Sequence, residues 1–216
     1  MEGVEKVLMA IRTRDFAAIQ QLVGENPDVV NARDNTGRSL VLVAAYAGSP
    51  AIAEWLGNRK TMDIFEAAVV GDVARASAII AKSVAALDAF SPDGWTPLHL
   101  AAHFGQVAMA RFLLAEGGLL DEYSRNALSN LPLHAAVAGR RSVAVVRLLL
   151  DEGADPNARA AKGLRPLHIA AENGQQELID LLLRRGAERY AAMDNGDLPV
   201  DLARRRGHQA IADRLS

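Results

Sequence analysis

The chain has 216 residues, half of them apolar and only 5% aromatic, with 24 Lys plus Arg against 26 Asp plus Glu and no Cys. That length suits one large or two small domains, and an aliphatic core with 23% charged residues excludes a disordered or membrane-embedded chain. A net charge of −2 lacks the basic excess of a nucleic-acid or anionic-membrane binder, and the absence of cysteine excludes disulfides, thiolate metal sites, iron–sulfur clusters and cysteine nucleophiles.

The longest apolar run, Leu40–Ala47, falls well short of the ~18 residues a membrane span needs. The opening MEGVEKVLMAIRTRD puts acids and arginines where a signal peptide needs a bare apolar stretch, so the chain reads as a cytoplasmic protein. Arg outnumbers Lys 20 to 4 and Ala is abundant, as in a GC-rich bacterial gene.

In chain order, Val4–Val23 has a two-helix rhythm about Arg14-Asp15. Gly37-Arg-Ser-Leu-Val-Leu-Val-Ala-Ala-Tyr-Ala-Gly48 and Met62-Asp-Ile-Phe-Glu-Ala-Ala-Val-Val-Gly71 share an Ala-Ala-x-x-Gly hinge. Three units then repeat closely: Gly94-Trp-Thr-Pro-Leu-His-Leu-Ala-Ala-His-Phe-Gly105, Leu131-Pro-Leu-His-Ala-Ala136, and Arg165-Pro-Leu-His-Ile-Ala-Ala-Glu-Asn-Gly174. Each leads to a second apolar run ending in Gly, at Gly117, Gly153 and Gly186, and a last unit runs from Gly196 through Gly207 to Ser216. Hinges at Asp15, Gly48, Gly71, Gly105, Arg140, Gly174 and Gly207 lie 33, 23, 34, 35, 34 and 33 residues apart. Pro in the first turn of a short helix, a tight turn, then a longer amphipathic helix stopped by Gly is the physical reading of each unit.

Thr96-Pro-Leu-His99, Pro132-Leu-His134 and Pro166-Leu-His168, with Leu-Leu-x-x-Gly and Gly153-Ala-Asp-Pro-Asn-Ala-Arg159, resemble the ankyrin-repeat family. The arrangement as a whole, with its Asp63-Ile-Phe-Glu-Ala-Ala68 run, looks like a group of small bacterial ankyrin proteins. The resemblance implies an all-α solenoid of about seven helix-turn-helix units, caps included, with short β-hairpin fingers, forming a single domain over residues 1–216. Two departures stand out. The short Gly48-to-Gly71 interval leaves no room for a finger near residue 60, so a notch is expected near Tyr46 and Val69. The motif Thr survives only at Thr96 and is replaced by Leu131, Arg165 and Leu198, which should cost each helix a cap of about 1 kcal/mol and interrupt the family's Thr–His hydrogen bonding outside the Gly94 unit.

No Gly-rich phosphate loop with its Lys and no His-Glu-x-x-His occurs, so the expectation is a non-enzyme without catalytic residue, cofactor or metal. His99, His134 and His168 recur at even spacing, yet stacked equivalents sit ~8–10 Å apart and zinc needs nitrogens at ~2.0–2.1 Å; buried histidines bonded to the adjacent unit's backbone are the reading. Asp34-Asn-Thr-Gly37 and Asp194-Asn-Gly-Asp197 read as tight turns.

The remaining function is binding a protein partner on the concave face of fingers and first helices, the chain acting as a monomer without nucleic acid or membrane. Carried over from the family's variable positions, Tyr46, Val69, Val70, Trp95, Phe104, Leu128 and Leu164 would form an apolar strip. Trp95 and Phe104 would be its anchors, and Arg38, Asp93, His103, Glu172 and Asn173 its polar rim. Alternatives are an inhibitor or antitoxin-like binder of one enzyme, or small-molecule binding in the notch near Tyr46 and Val69.

Overall fold

The computed structural model describes residues 2–139 and 142–216. Among them the chain forms fourteen α-helices in seven consecutive pairs, and its β-pairing is limited to an isolated bridge between Arg33 and Ser39. The all-α expectation therefore holds, while the fingers are tight turns without strand ladders. The expected hinge at Arg140 lies outside the described residues. Contacts divide the chain into two compact units, Met1–Pro97 and Leu98–Ser216.

The first unit holds α1 (Glu2–Thr13), α2 (Phe16–Glu25), α3 (Leu40–Tyr46), α4 (Pro50–Gly57), α5 (Ile64–Val70) and α6 (Val73–Ile80). Helix starts follow local chemistry: the side chains of Asp15, Ser39, Asp63 and Asp72 each accept a backbone N–H of the turn they open. α3 packs on α1, α4 and α5, and its residues 40–45 are all buried. Hinge residues Gly48 and Gly71 take left-handed conformations at φ 73° and 86°. At the first hinge Arg14 adopts φ 58° without being Gly, and its Nε donates to Ala47 O at 3.1 Å.

The fingerless pair is closed by charge. Glu66 stands just before the Ala-Ala pair of α5, where α3 carries Val43, and its side chain is fully buried. Lys60 Nζ donates to Glu66 Oε1 at 2.8 Å and the Asp63 amide donates to Oε2 at 2.9 Å, completing a reciprocal cap with Asp63. Removing one partner would strand a buried charge, so the pair fixes this short connection more than it adds stability.

The second unit opens in α7 (Pro97–His103) and continues through α8 (Val107–Ala115), α9 (Pro132–Gly139), α10 (Val143–Asp151), α11 (Pro166–Glu172), α12 (Gln176–Arg184), α13 (Pro199–Arg205) and α14 (Gln209–Leu215). α9 packs on α11 and α11 on α13, with α10 between α8 and α12. A Cβ on Gly139 would strike the backbone carbonyl of His103, so α9 approaches the end of α7 closely enough to require glycine.

Three buried histidines tie this unit together. The Nδ1 atoms of His134 and His168 accept the backbone N–H of Leu131 and Arg165, both at 3.3 Å, which puts the ring proton on Nε2. Nε2–H then donates to the following turn: His99 to Asn130 O at 2.9 Å, His134 to Ala158 O and Leu164 O at 3.1 and 3.2 Å, His168 to Asp197 O at 3.3 Å. Loss of the motif Thr therefore does not interrupt the ladder, because the imidazole takes over the orphan cap N–H. In His134 and His168 both ring nitrogens are committed to backbone groups.

Burial pushes the imidazoles of His99 and His134 down from 6.5 to about 4, against the opposing pull of their carbonyl partners. Both stay neutral in the folded protein while the unfolded chain takes up protons near pH 6.5, so stability is complete above that pH and is lost as pH falls toward 4. At one pH unit below 6.5 each histidine should cost about 1.4 kcal/mol. Melting temperatures measured from pH 7.5 to 4.5 should fall steeply below 6.5, and a flat profile would contradict the neutral ladder. Leu149 on α10 is fully buried, and Leu149→Ala should lower unfolding free energy by ~2–5 kcal/mol in a denaturant titration.

Candidate functional site

The turns that present side chains outward are built by short polar networks. In the first unit, residues 34–38 close through Asp34 N–H to Arg38 O at 2.8 Å, and residues 91–95 through Ser91 N–H to Trp95 O at 2.9 Å. Asp34 is the hub of the first: its Oδ1 accepts the amides of Thr36 and Arg38, and its Oδ2 accepts Arg38 Nε and Nη2 at 3.0 and 2.8 Å. Burial raises its carboxyl, but bonds from Thr36 and Arg38 outweigh that and hold it at about 2.

The two turns meet across the missing finger. A Cβ built on Gly37 would lie 3.4 Å from Pro92, and Tyr46 Oη donates to Asp93 Oδ2 at 2.5 Å. Burial first, then the bond to Asp93 and its negative charge, push the Tyr46 phenol upward, while Arg38, 5.7 Å above its ring, pulls the other way. Trp95 stands edge-on to Tyr46 at 6.4 Å. The notch expected near Tyr46 and Val69 is thus filled: without the intervening finger its neighbours lean together, and Val69 is only 3% exposed.

The same packing corrects the expected anchors. Trp95 is 7% and Phe104 9% exposed, and Phe104 holds its ring against His103 at 4.9 Å. Aromatic rings at these positions pack into the fold, leaving Val70, Tyr46, Arg38 and Asp93 half-buried at the surface of the first unit.

In the second unit His103 is half-buried and its Nδ1–H donates to Ala135 O at 3.3 Å. Glu172 is paired with Arg206 at 2.5 Å, and Asn173 and Leu164 are half-buried. Leu128 is 54% exposed on a turn pinned from several sides. Its N–H donates to Asn126 Oδ1 at 3.0 Å, its carbonyl accepts the Ala161 amide at 3.0 Å, and the turn closes through Ser124 N–H to Asn130 O at 2.9 Å. The next tip is linked in the same way, Asp194 N–H donating to Lys162 O at 3.0 Å. The sequence places Leu128, Leu164, Glu172 and Asn173 at variable positions and Asp34 in a tight turn, but the polar hubs Ser124 and Asn126 were not singled out. Their signal was present: Asp, Ser and Asn at turn starts bond to backbone amides a few residues on, two and four for Asp34, two for Asn126 and six for Ser124.

Residues 64–160 and 133–216 match the family model described as ankyrin repeats in three copies. Among curated proteins the chain is 34% identical over 117 residues to palmitoyltransferase akr1 of Neurospora crassa, covering 54% of this chain and 16% of that protein. It is 40% identical over 78 residues to a putative ankyrin repeat protein of Rickettsia felis, 36% of this chain and 33% of the relative. It is likewise 40% identical over 86 residues to a putative ankyrin repeat-containing protein of Treponema pallidum, 40% of this chain and 28% of the relative. The chain thus spans a third or less of the length of these relatives.

Tyr46→Phe removes the hydroxyl that bridges the two turns and should cost ~1.5–3 kcal/mol, as expected for a bond to a charged acceptor. Equilibrium denaturation checks it; an unchanged midpoint would mean that the turns are held by other contacts.

Proposed function

This chain belongs to the ankyrin-repeat family, and from that premise we propose that residues 1–216 form one repeat domain whose task is to bind a partner protein, without catalysis, through its turn tips and first helices. The observation that carries this reading is Leu128. A large apolar side chain 54% exposed on a turn whose N–H and carbonyl are both bonded is an anchor ordered before binding. Such preorganisation spares the entropy that a mobile loop would lose on association. This reading adds Leu164 as a half-buried apolar contact and the half-buried His103, Glu172 and Asn173 as polar ones. In the first unit Arg38, Tyr46, Asp93 and Val70 offer a second, more polar contact set. Val69, Trp95 and Phe104 are buried, with Trp95 packed edge-on against the Tyr46 ring.

A photo-crosslinking residue placed at 128 should capture a partner protein from lysate of the source cells, while the same residue at Ala144, exposed on outer helix α10, should not. Leu128→Asp should weaken the captured complex by about 2 kcal/mol, roughly 30-fold, while the melting temperature stays unchanged. Crosslinking from position 144 alone would move the binding surface to the outer helices.

A further inference from the structure

The loop after each outer helix of the second unit occupies an equivalent position following Leu-Leu-x-x-Gly: residues 117–121, 153–157 and 186–190. In the middle loop Asn157 ties its unit to the next. Its Nδ2 donates to Gly186 O at 2.9 Å, and its Oδ1 accepts the Glu188 amide at 2.8 Å. The equivalent residue one repeat earlier is Asp121. A carboxylate has no proton to give a carbonyl, so this link is missing: among the described residues the carboxylates of Asp121 and Glu152 make neither a hydrogen bond nor an ion pair.

A cleft of about 410 Å³ opens where the link is absent. Leu114, Leu119 and Leu120 form its apolar walls, and Leu119 is 44% exposed. The carboxylates of Asp121 and Glu152 stand at its margin. α8 and α10 both end beside it, at Ala115 and Asp151, so the negative ends of two helix dipoles add to the same sign of field. Unpaired acceptors over aliphatic walls complement a cation carried on an apolar stem.

We propose that this cleft docks an arginine or lysine side chain from a basic segment of a partner protein, the stem lying on the three leucines and the cationic head between Asp121 and Glu152. It uses different residues from the turn tips, so its failure leaves the Leu128 surface untouched, and the reverse.

The test is an NMR titration of the ¹⁵N-labelled full chain with the peptide acetyl-Leu-Arg-Leu-Arg-amide, set against acetyl-Leu-Glu-Leu-Glu-amide. Saturable shifts of the Gly118 and Gly153 amides with the basic peptide only, weakened by added salt, are expected. Glu152→Gln should raise Kd about tenfold while leaving the melting temperature in place. Asp121→Asn supplies the proton that Asn157 supplies one repeat later; it should close the link to the Gly153 carbonyl, raise the melting temperature and abolish the shifts. A variant that gains stability while losing the peptide cannot be explained by misfolding. The proposal is overturned if neither glycine shifts, if the acidic peptide shifts them equally, or if both variants bind as the wild type does.

Discussion

A neutral imidazole buried between successive helix pairs holds the second unit in register. Through Nδ1 it satisfies the cap N–H of its own first helix at Leu131 or Arg165, and through Nε2 it reaches the next turn at Ala158, Leu164 or Asp197. Neither helix of a pair could bury its apolar face alone, so stability comes from neighbour-to-neighbour interfaces. The imidazole makes each interface directional. Its cost is that the ring must remain uncharged, since a protonated Nδ1 would present a donor to a donor.

The first unit solves the same problem without histidine. Leu42 stands in α3 where the later units carry the ring, and the turns are held by carboxylates instead: Asp34 around residues 34–38, Asp93 between Tyr46 and Ser91. The lost finger is offset twice, by the Lys60–Glu66 pair inside and by Gly37 meeting Pro92 outside. Charged hubs of this kind trade hydrophobic burial for fixed geometry, which suits turns whose tips must stay in place without a strand ladder.

The irregular positions leave more side chains exposed than the regular ones. Where the repeat is kept, side chains are absorbed by the neighbouring pair, as Asn157 is by Gly186 and Glu188. Where it is broken, as at Asp121 or on the long turn bearing Leu128, donors, acceptors or apolar surface are left facing solvent. Surfaces that a partner can recognise are those the array did not consume.

Much of this protein was legible in its sequence. Period, Pro at first turns, Gly at hinges and Leu-Leu runs determined seven helix pairs, their order and the buried histidines, because these depend on backbone chemistry within one repeat and its neighbour. The candidate surface was legible only as a set of positions. That Trp95, Phe104 and Val69 pack inward, that Tyr46 reaches Asp93 across the missing finger, and that Leu128 alone among the expected apolar positions stands more than half exposed, were decided by tertiary structure. Repeat alignment gives each residue an address along the chain, whereas exposure depends on which neighbour leans over it, and a deleted turn changes that for residues nearly fifty positions away.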